Sequence, residues 1–290
     1  MEKHRSAFLE YARSFFSGDP EKDRYMQLKV DHTFRVCSHA DTLAAEEGEL
    51  HAPALGRAVS LAALYHDVGR FEQLKRWNTF SDALSCNHGL LGAGIIKKQG
   101  FLDEEDREVR QFVIAAVAVH NRFSLPAALR GDLFPVVAAL RDADKVDILR
   151  IMAGQLGPGS AADNTMLLHL EDAPGVCSPA ILKALREKRM ARYMDMRTFD
   201  DFRLLLCTWL FELRFAASVR AIRENGCFNG ILDGFTGAPE VKAEAAAVVK
   251  SRLLAPPYAA NTGKFLRTGR VLTKECCYIF PHSIDVKASK

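Results

Sequence analysis

Helical periodicity runs along most of this chain, and no other feature constrains its fold as strongly. Apolar residues recur at helical spacing from about Arg24 to Glu47, with Pro20 before the segment and Gly48 after it as start and stop signals. Pro53 opens a second helix, PALGRAVSLAALYHD, that stops at Gly69, and a third runs from about His88 to Lys98, ending at Gly100. Asp103 reads as the N-cap of a fourth, EEDREVRQFVIAAVAVH, with Glu104 and Glu105 in the first turn where the helix dipole favours them. A fifth covers about Phe134 to Met152. Ser178-Pro179 starts a helix that runs to about Tyr193, Asp200 to Glu224 forms another, and Pro239 to Leu254 one more. The interior FRLLLCTWLFELRFAASV is apolar nearly all round, which predicts a buried central helix.

No alternating strand pattern precedes residue 270, and TGRVLTKECCYIF reads as a short hairpin or an irregular tail. The expected fold class is therefore all-α. The softest boundary is Gly154–Asn164 (GQLGPGSAADN), small, polar and Gly-rich. It divides an N-terminal helical domain, 1–154, from a helical C-terminal extension, 155–290, that belongs to the same globule because its apolar helix needs a partner surface.

Composition sets the outer limits. With 290 residues, 48% hydrophobic and 26% charged, the chain has the balance of an ordinary globular protein, not of a disordered or collagen-like one. A net charge of +3 is too small to argue for nucleic acid or an anionic membrane, so neither is expected as a partner. No apolar run approaches the roughly 20 residues of a membrane span. The charged, amphipathic MEKHRSAFLEYARSFF has no signal-peptide core. The 7 Cys are scattered without a CxxC pair, which fits free thiols in a reducing cytoplasm.

Chemistry concentrates in the first half. His66 and Asp67 are adjacent at the end of an apolar helix, His32 lies inside the first long helix, His88 opens a helix and His120 closes one. Asp67, Asp142, Asp144 and Asp147 sit in segments that are otherwise strongly apolar. Carboxylates are rarely buried unless paired or bound to a metal. Imidazole and carboxylate together suit Zn, Mn, Fe, Ni or Co, with Mg admitted as well. Side chains at adjacent positions diverge on a regular helix, whereas an opened helix end lets His66 and Asp67 turn into one cleft.

The order His32, His66-Asp67, Asp144 resembles the H…HD…D signature of the HD-domain metal-dependent phosphohydrolases. The RV after His32, the small-apolar run before HDVGR and the ADK around Asp144 strengthen the likeness, which covers roughly residues 20 to 150. The resemblance implies an HD-type helical bundle with a metal held between helices by His32, His66, Asp67 and Asp144. His88 and His120 are similar to the two extra histidines of the family's two-metal members, in which Asp67 would bridge the ions. The general layout is shared with the HD-GYP phosphodiesterases and with small hydrolases of diadenosine tetraphosphate, although the GYP triplet is absent. The loop GRFEQLKRWNTFSDALSCNH is similar to a subgroup of bacterial HD-domain proteins. A few relatives with similar ligand sets are di-iron oxygenases.

What the resemblance implies agrees with elementary phosphate chemistry. One or two divalent ions bind phosphoryl oxygens, acidify water and stabilise a leaving oxygen. The expected activity is hydrolysis of a nucleotide or another small phosphoester, with Asp67 and Lys145 closest to the chemistry. Arg35, on the helical face of His32, and Arg70 are further candidates for binding substrate phosphate. Asn121 and Glu72 complete the candidate set, Glu72 as a group behind a ligand or as a proton donor. A mononuclear nucleotidase or triphosphohydrolase is the alternative, with His88 and His120 binding substrate instead. A non-catalytic signalling or binding module that keeps the fold is the third reading. A homodimer is left open. Trp77 and Phe80 either cover a base or sugar or pin the loop to the body.

Overall fold

The chain breaks into helices where its turn chemistry directs. The computed structural model describes residues 1–126, 129–160 and 170–255. Helix α1 covers Glu2–Arg13, and α2 covers Pro20–Glu46, with Asp19 accepting from the backbone N–H of Glu21 as its cap. Next come α3 (Pro53–Tyr65), α4 (Val68–Trp77), α5 (His88–Gln99), α6 (Arg107–Val119) and α7 (Leu133–Gln155). The later helices are α8 (Pro179–Arg186), α9 (Phe199–Thr208), α10 (Ala216–Asn225), α11 (Cys227–Asp233) and α12 (Pro239–Leu254). The all-α expectation holds. No β-strand forms among the described residues, where the sole bridge pairs Glu171 with Thr198. None of the described helices is long and apolar enough to cross a membrane. The hairpin expected near residue 270 lies outside the described residues.

Several boundaries differ from the sequence reading, each for a local reason. The helix opened by Pro53 stops at Tyr65 and restarts at Val68, because Asp67 leaves helical geometry at φ −101°, ψ 12°. Asp106, not Asp103, precedes α6. The helix begun at Pro179 ends at Arg186, and Lys188 turns the chain with a left-handed φ of 52°. The apolar run after Asp200 is two helices joined by a 3₁₀ turn at Trp209–Phe211. Every residue of α9 is buried, and Thr198 and Asp201 close its N-terminus as a capping box.

Helix α7 is the shared axis. It packs against α2, α3 and α6 on one side and against α10 and α11 on the other. Its apolar Val146, Leu149 and Met152 join Ile181 and Leu185 of α8, Leu204, Leu205 and Leu206 of α9 and Ile231 of α11 in one buried cluster. Burying each leucine contributes roughly 1.5–3 kcal/mol. Of the two buried carboxylates on α7, Asp142 and Asp147, the first holds the start of the later helices. Asp142 accepts from the backbone N–H groups of Arg214 and Phe215, which immediately precede α10. Burial nevertheless pushes its carboxyl up to about 6.

A second polar anchor fastens α1. Phe8 packs edge-on against Phe34 and Phe71, and His4 contacts the Tyr65 hydroxyl at 3.1 Å and Glu105 at 2.9 Å. Arg57 donates to both Glu105 oxygens, from Nε at 3.0 Å and Nη2 at 2.6 Å. These bonds, Arg57 first, draw the Glu105 carboxyl down to about 2 from an ordinary 4.5. A depressed carboxyl stabilises the fold fully above its unfolded pKa and loses that contribution as pH falls toward the folded value. Glu105→Gln should cost about 1–2 kcal/mol, or about 2–6 °C in Tm at pH 7. Thermal melts should show the gap to wild type closing as pH falls from 4.5 toward 2; a gap independent of pH would count against the ionised pair.

Candidate metal centre

Four helix ends and two long helices bring the six candidate ligands together. His32 lies mid-way along α2, His66 and Asp67 occupy the break between α3 and α4, His88 opens α5, His120 follows α6 and Asp144 lies on α7. The approach of α4, α5 and α6 depends on glycine. A Cβ on Gly69 would stand 2.4 Å from the carbonyl oxygen of His88, and one on Gly89 would stand 2.7 Å from that of Val117. The three backbones therefore touch where the histidines emerge.

Two groups result, His32–His66–Asp144 and Asp67–His88–His120, each with ligand atoms within 4.8 Å of one another. Asp67 faces both. Its Oδ2 lies 3.6 Å from Nε2 of His32 and of His66, and its Oδ1 lies 3.4 Å from Nε2 of His88 and 4.0 Å from Nε2 of His120. Asp144 Oδ1 stands 3.1 Å from His32 Nε2 and 3.7 Å from His66 Nε2. The four imidazoles and Asp67 are buried, and Asp144 is partly so.

Each ring is aimed through its other nitrogen. Nδ1 of His32 donates to Asp147 at 2.7 Å, Nδ1 of His66 to the Ala63 carbonyl at 2.8 Å, Nδ1 of His88 to Asp82 at 2.8 Å and Nδ1 of His120 to the Val117 carbonyl at 2.7 Å. Carbonyls and carboxylates only accept, so all four Nδ1 atoms carry hydrogen and the Nε2 atoms turn inward. Nε2 of His32 and His66 meet at 3.3 Å, and Nε2 of His88 and His120 at 3.1 Å. His88 and His120, both kept neutral by burial, face each other lone pair to lone pair, an arrangement that a shared cation satisfies. Nitrogen donors with carboxylates and a double-faced aspartate fit divalent transition metals.

Local charge points the same way. Burial pushes the Asp67 carboxyl up, but Lys29, His66, Arg70 and His88 outweigh it and hold it well below the usual carboxylate range. Burial drives the His120 imidazole down to about 3, helped by His88 and His66, and burial also lowers His66 and His88. His32 is the exception. Burial opposes its charged form, but bonds to Asp144 and Asp147 prevail and raise its pKa.

The remaining candidates are placed unequally. Arg70 stands at the edge of the centre with Nε 3.5 Å from Asp67 Oδ1 and no hydrogen-bond acceptor for that buried Nε. Its Nη1 is committed to Gln73, the Phe80 carbonyl and Asp82. Lys145 is buried beside Asp144 with its ammonium 5.9 Å from the Trp209 ring centroid, and burial lowers its pKa to about 8. Arg35 donates to Asp147 at 2.7 Å, behind His32. Asn121 donates to Asp82 at 2.8 Å, behind His88. Glu72 pairs with Arg76, and its charge bears on Tyr11. Phe80 is buried and holds Lys29 5.1 Å from its ring centroid, so it pins the loop, whereas Trp77 is 40% exposed.

Two participants, Lys29 and Asp82, have no place in the sequence reading, and a third, Asp147, is read there only as a carboxylate in an apolar segment. Lys29 donates to Asp67 Oδ2 at 2.7 Å. Its place three residues before His32, on the same helical face, was a readable signal. Asp147, three residues after Asp144 in the same apolar helix, is the acceptor for His32 Nδ1. Asp82 sits in a 3₁₀ turn of the long loop and has no sequence signal.

The family model described as HD domain matches residues 30–151, which hold all six candidate ligands. No curated protein and no solved structure matches the chain.

If Asp147 aims His32, Asp147→Asn should weaken metal affinity about 10–100-fold. Competition with a calibrated chelator measures this, and an unchanged affinity would remove Asp147 from the centre's support.

Proposed function

We propose, from the match of residues 30–151 to the HD-domain family model, that this chain is a metal-dependent phosphohydrolase. It uses two divalent ions to cleave a phosphoester of a nucleotide or another small phosphorylated metabolite. The observation that carries the reading is Asp67, which offers Oδ2 to the His32–His66–Asp144 group and Oδ1 to the His88–His120 pair. In this assignment His32, His66 and Asp144 hold one ion, His88 and His120 hold the other, and Asp67 serves both. Bound divalent ions supply polarisation of the phosphoryl group and activation of water as the nucleophile at neutral pH.

The chain's own groups do the rest. Arg70 brings a buried guanidinium whose Nε is free to donate to a phosphoryl oxygen. Lys145 adds an ammonium beside Asp144 that offsets the charge of an anionic ester. Lys29 neutralises Asp67 through its 2.7 Å bond. Asp147 and Asp82 keep the rings of His32 and His88 from rotating.

The test is metal content with turnover. Protein purified without chelators should carry two ions per chain and hydrolyse simple phosphoesters. His88→Ala or His120→Ala should bring the count toward one and lower kcat/KM at least about 100-fold, as loss of a group acting only in the transition state does. A count that stays unchanged while KM rises would refute the two-ion site and favour a mononuclear nucleotidase. Intact metal with no turnover of any phosphoester would favour a binding module.

A further inference from the structure

A cleft of about 330 Å³ lies between the end of α5, the turn at Leu102 and Asp103, and the first turns of α6. That volume is at the small end of ligand sites, which run roughly 300–1,000 Å³. Ile96 stands more than two turns beyond His88, about 12 Å along α5. Arg110 stands more than two turns before His120, about 15 Å along α6. The cleft is therefore separate from the six candidate metal ligands, although it is built from the two helices that present His88 and His120.

The floor of the cleft is aliphatic. Ile96 and Leu102 are buried, the half-buried Ile114 joins them from α6, and no aromatic ring is among the lining residues. The rim is charged. Arg107, Arg110 and Ile114 recur at helical spacing, so one face of α6 carries both guanidiniums and an apolar residue into the cleft. Among the described residues neither guanidinium has an ion-pair or hydrogen-bond partner. The acids of the adjoining turn are engaged elsewhere, Glu104 with Lys3 and Glu105 with Arg57 and His4. Asp103 is the one carboxylate on the rim, and its Oδ2 lies 2.6 Å from where a Cβ on Gly100 would stand, folded back over the turn. Lys97 adds an ammonium from α5 that has contacts of its own. Two unpaired guanidiniums against one carboxylate leave a positive charge that a monoanion balances. Like charges one turn apart on a helix repel, and an anion held between them relieves that repulsion.

We propose that this cleft binds a small aliphatic carboxylate, with its head between Arg107 and Arg110 and its hydrocarbon tail on Ile96, Leu102 and Ile114. The guanidinium fork matches a planar carboxylate with paired N–H donors. The floor offers contact to methylene groups and no ring to stack on, so it suits a linear chain better than a nucleobase. The site is independent of the phosphohydrolase reading and adds a second ligand of different chemistry.

Calorimetry with hexanoate on the full-length chain tests this. Each fully buried methylene adds about fourfold in affinity, so hexanoate should bind at least about tenfold more tightly than acetate. Hexanamide, which has the tail without the charge, should bind at least about tenfold more weakly than hexanoate. Arg107→Gln and Arg110→Gln should each weaken hexanoate about tenfold. Ile114→Ala should reduce the preference for hexanoate over acetate at least about threefold. Arg107 is exposed and Arg110 half-buried, so circular dichroism should show unchanged helix content in both variants. Absence of saturable hexanoate binding, equal affinity for acetate, or an affinity that both arginine variants leave intact would overturn the site, the last by placing the carboxylate elsewhere, such as on bound metal. None of these outcomes bears on the phosphohydrolase reading, which metal content and turnover decide.

Discussion

Charge buried in an apolar bundle has to be neutralised where it stands, and the Asp67 carboxylate is the point around which this chain does so. It sits at 3% exposure at the only break between α3 and α4. Lys29, Arg70 and four imidazoles surround it. An isolated carboxylate at such depth would be protonated or would unfold its surroundings. The helix ends, the glycine contacts and the acidic partners behind the histidines all follow from holding that group charged. A bundle designed for stability alone would fill the same volume with leucine at lower cost. The retention of so many polar groups at one place is the physical sign of a site.

The chemistry of the centre was more legible than its support. His32, His66, Asp67, His88, His120 and Asp144 stood out because each is a polar residue at an apolar helix end or face, and their order matched a family pattern. Geometry that depends on distant partners was not legible. Asp82 reaches His88 from a loop, and Arg35 reaches Asp147 from another helix, pairings that no local period encodes. Glu72 illustrates a signal that was available. Its Arg76 partner four residues on is an ordinary surface pair, which argued against a role in the cleft.

Helix placement shows the same division. Where caps and prolines punctuate the chain, as at Pro53, Pro179 and Pro239, starts were readable. Where a run is apolar on all sides there is no period to break, so the 3₁₀ turn at Trp209–Phe211 left no trace in the sequence. That turn is what carries Trp209 to Lys145 and Tyr193, so the unread feature also links the later helices to α7.

The four aiming bonds differ in stiffness. His66 and His120 each donate to a carbonyl three residues back, so their own helix ends hold them, and turning either ring means undoing a helical turn. His32 is held by Asp147, itself fully buried and gripped by Arg35 and Arg150. His88 is held by Asp82, whose side chain is 33% exposed on a short turn. Both rings of one half are therefore held by buried groups, while in the other His120 is held by its own helix and His88 by a loop residue. The clamped half resembles a fixed socket. A change in the Asp82 turn would reach one ring of the other half and leave its second ring in place.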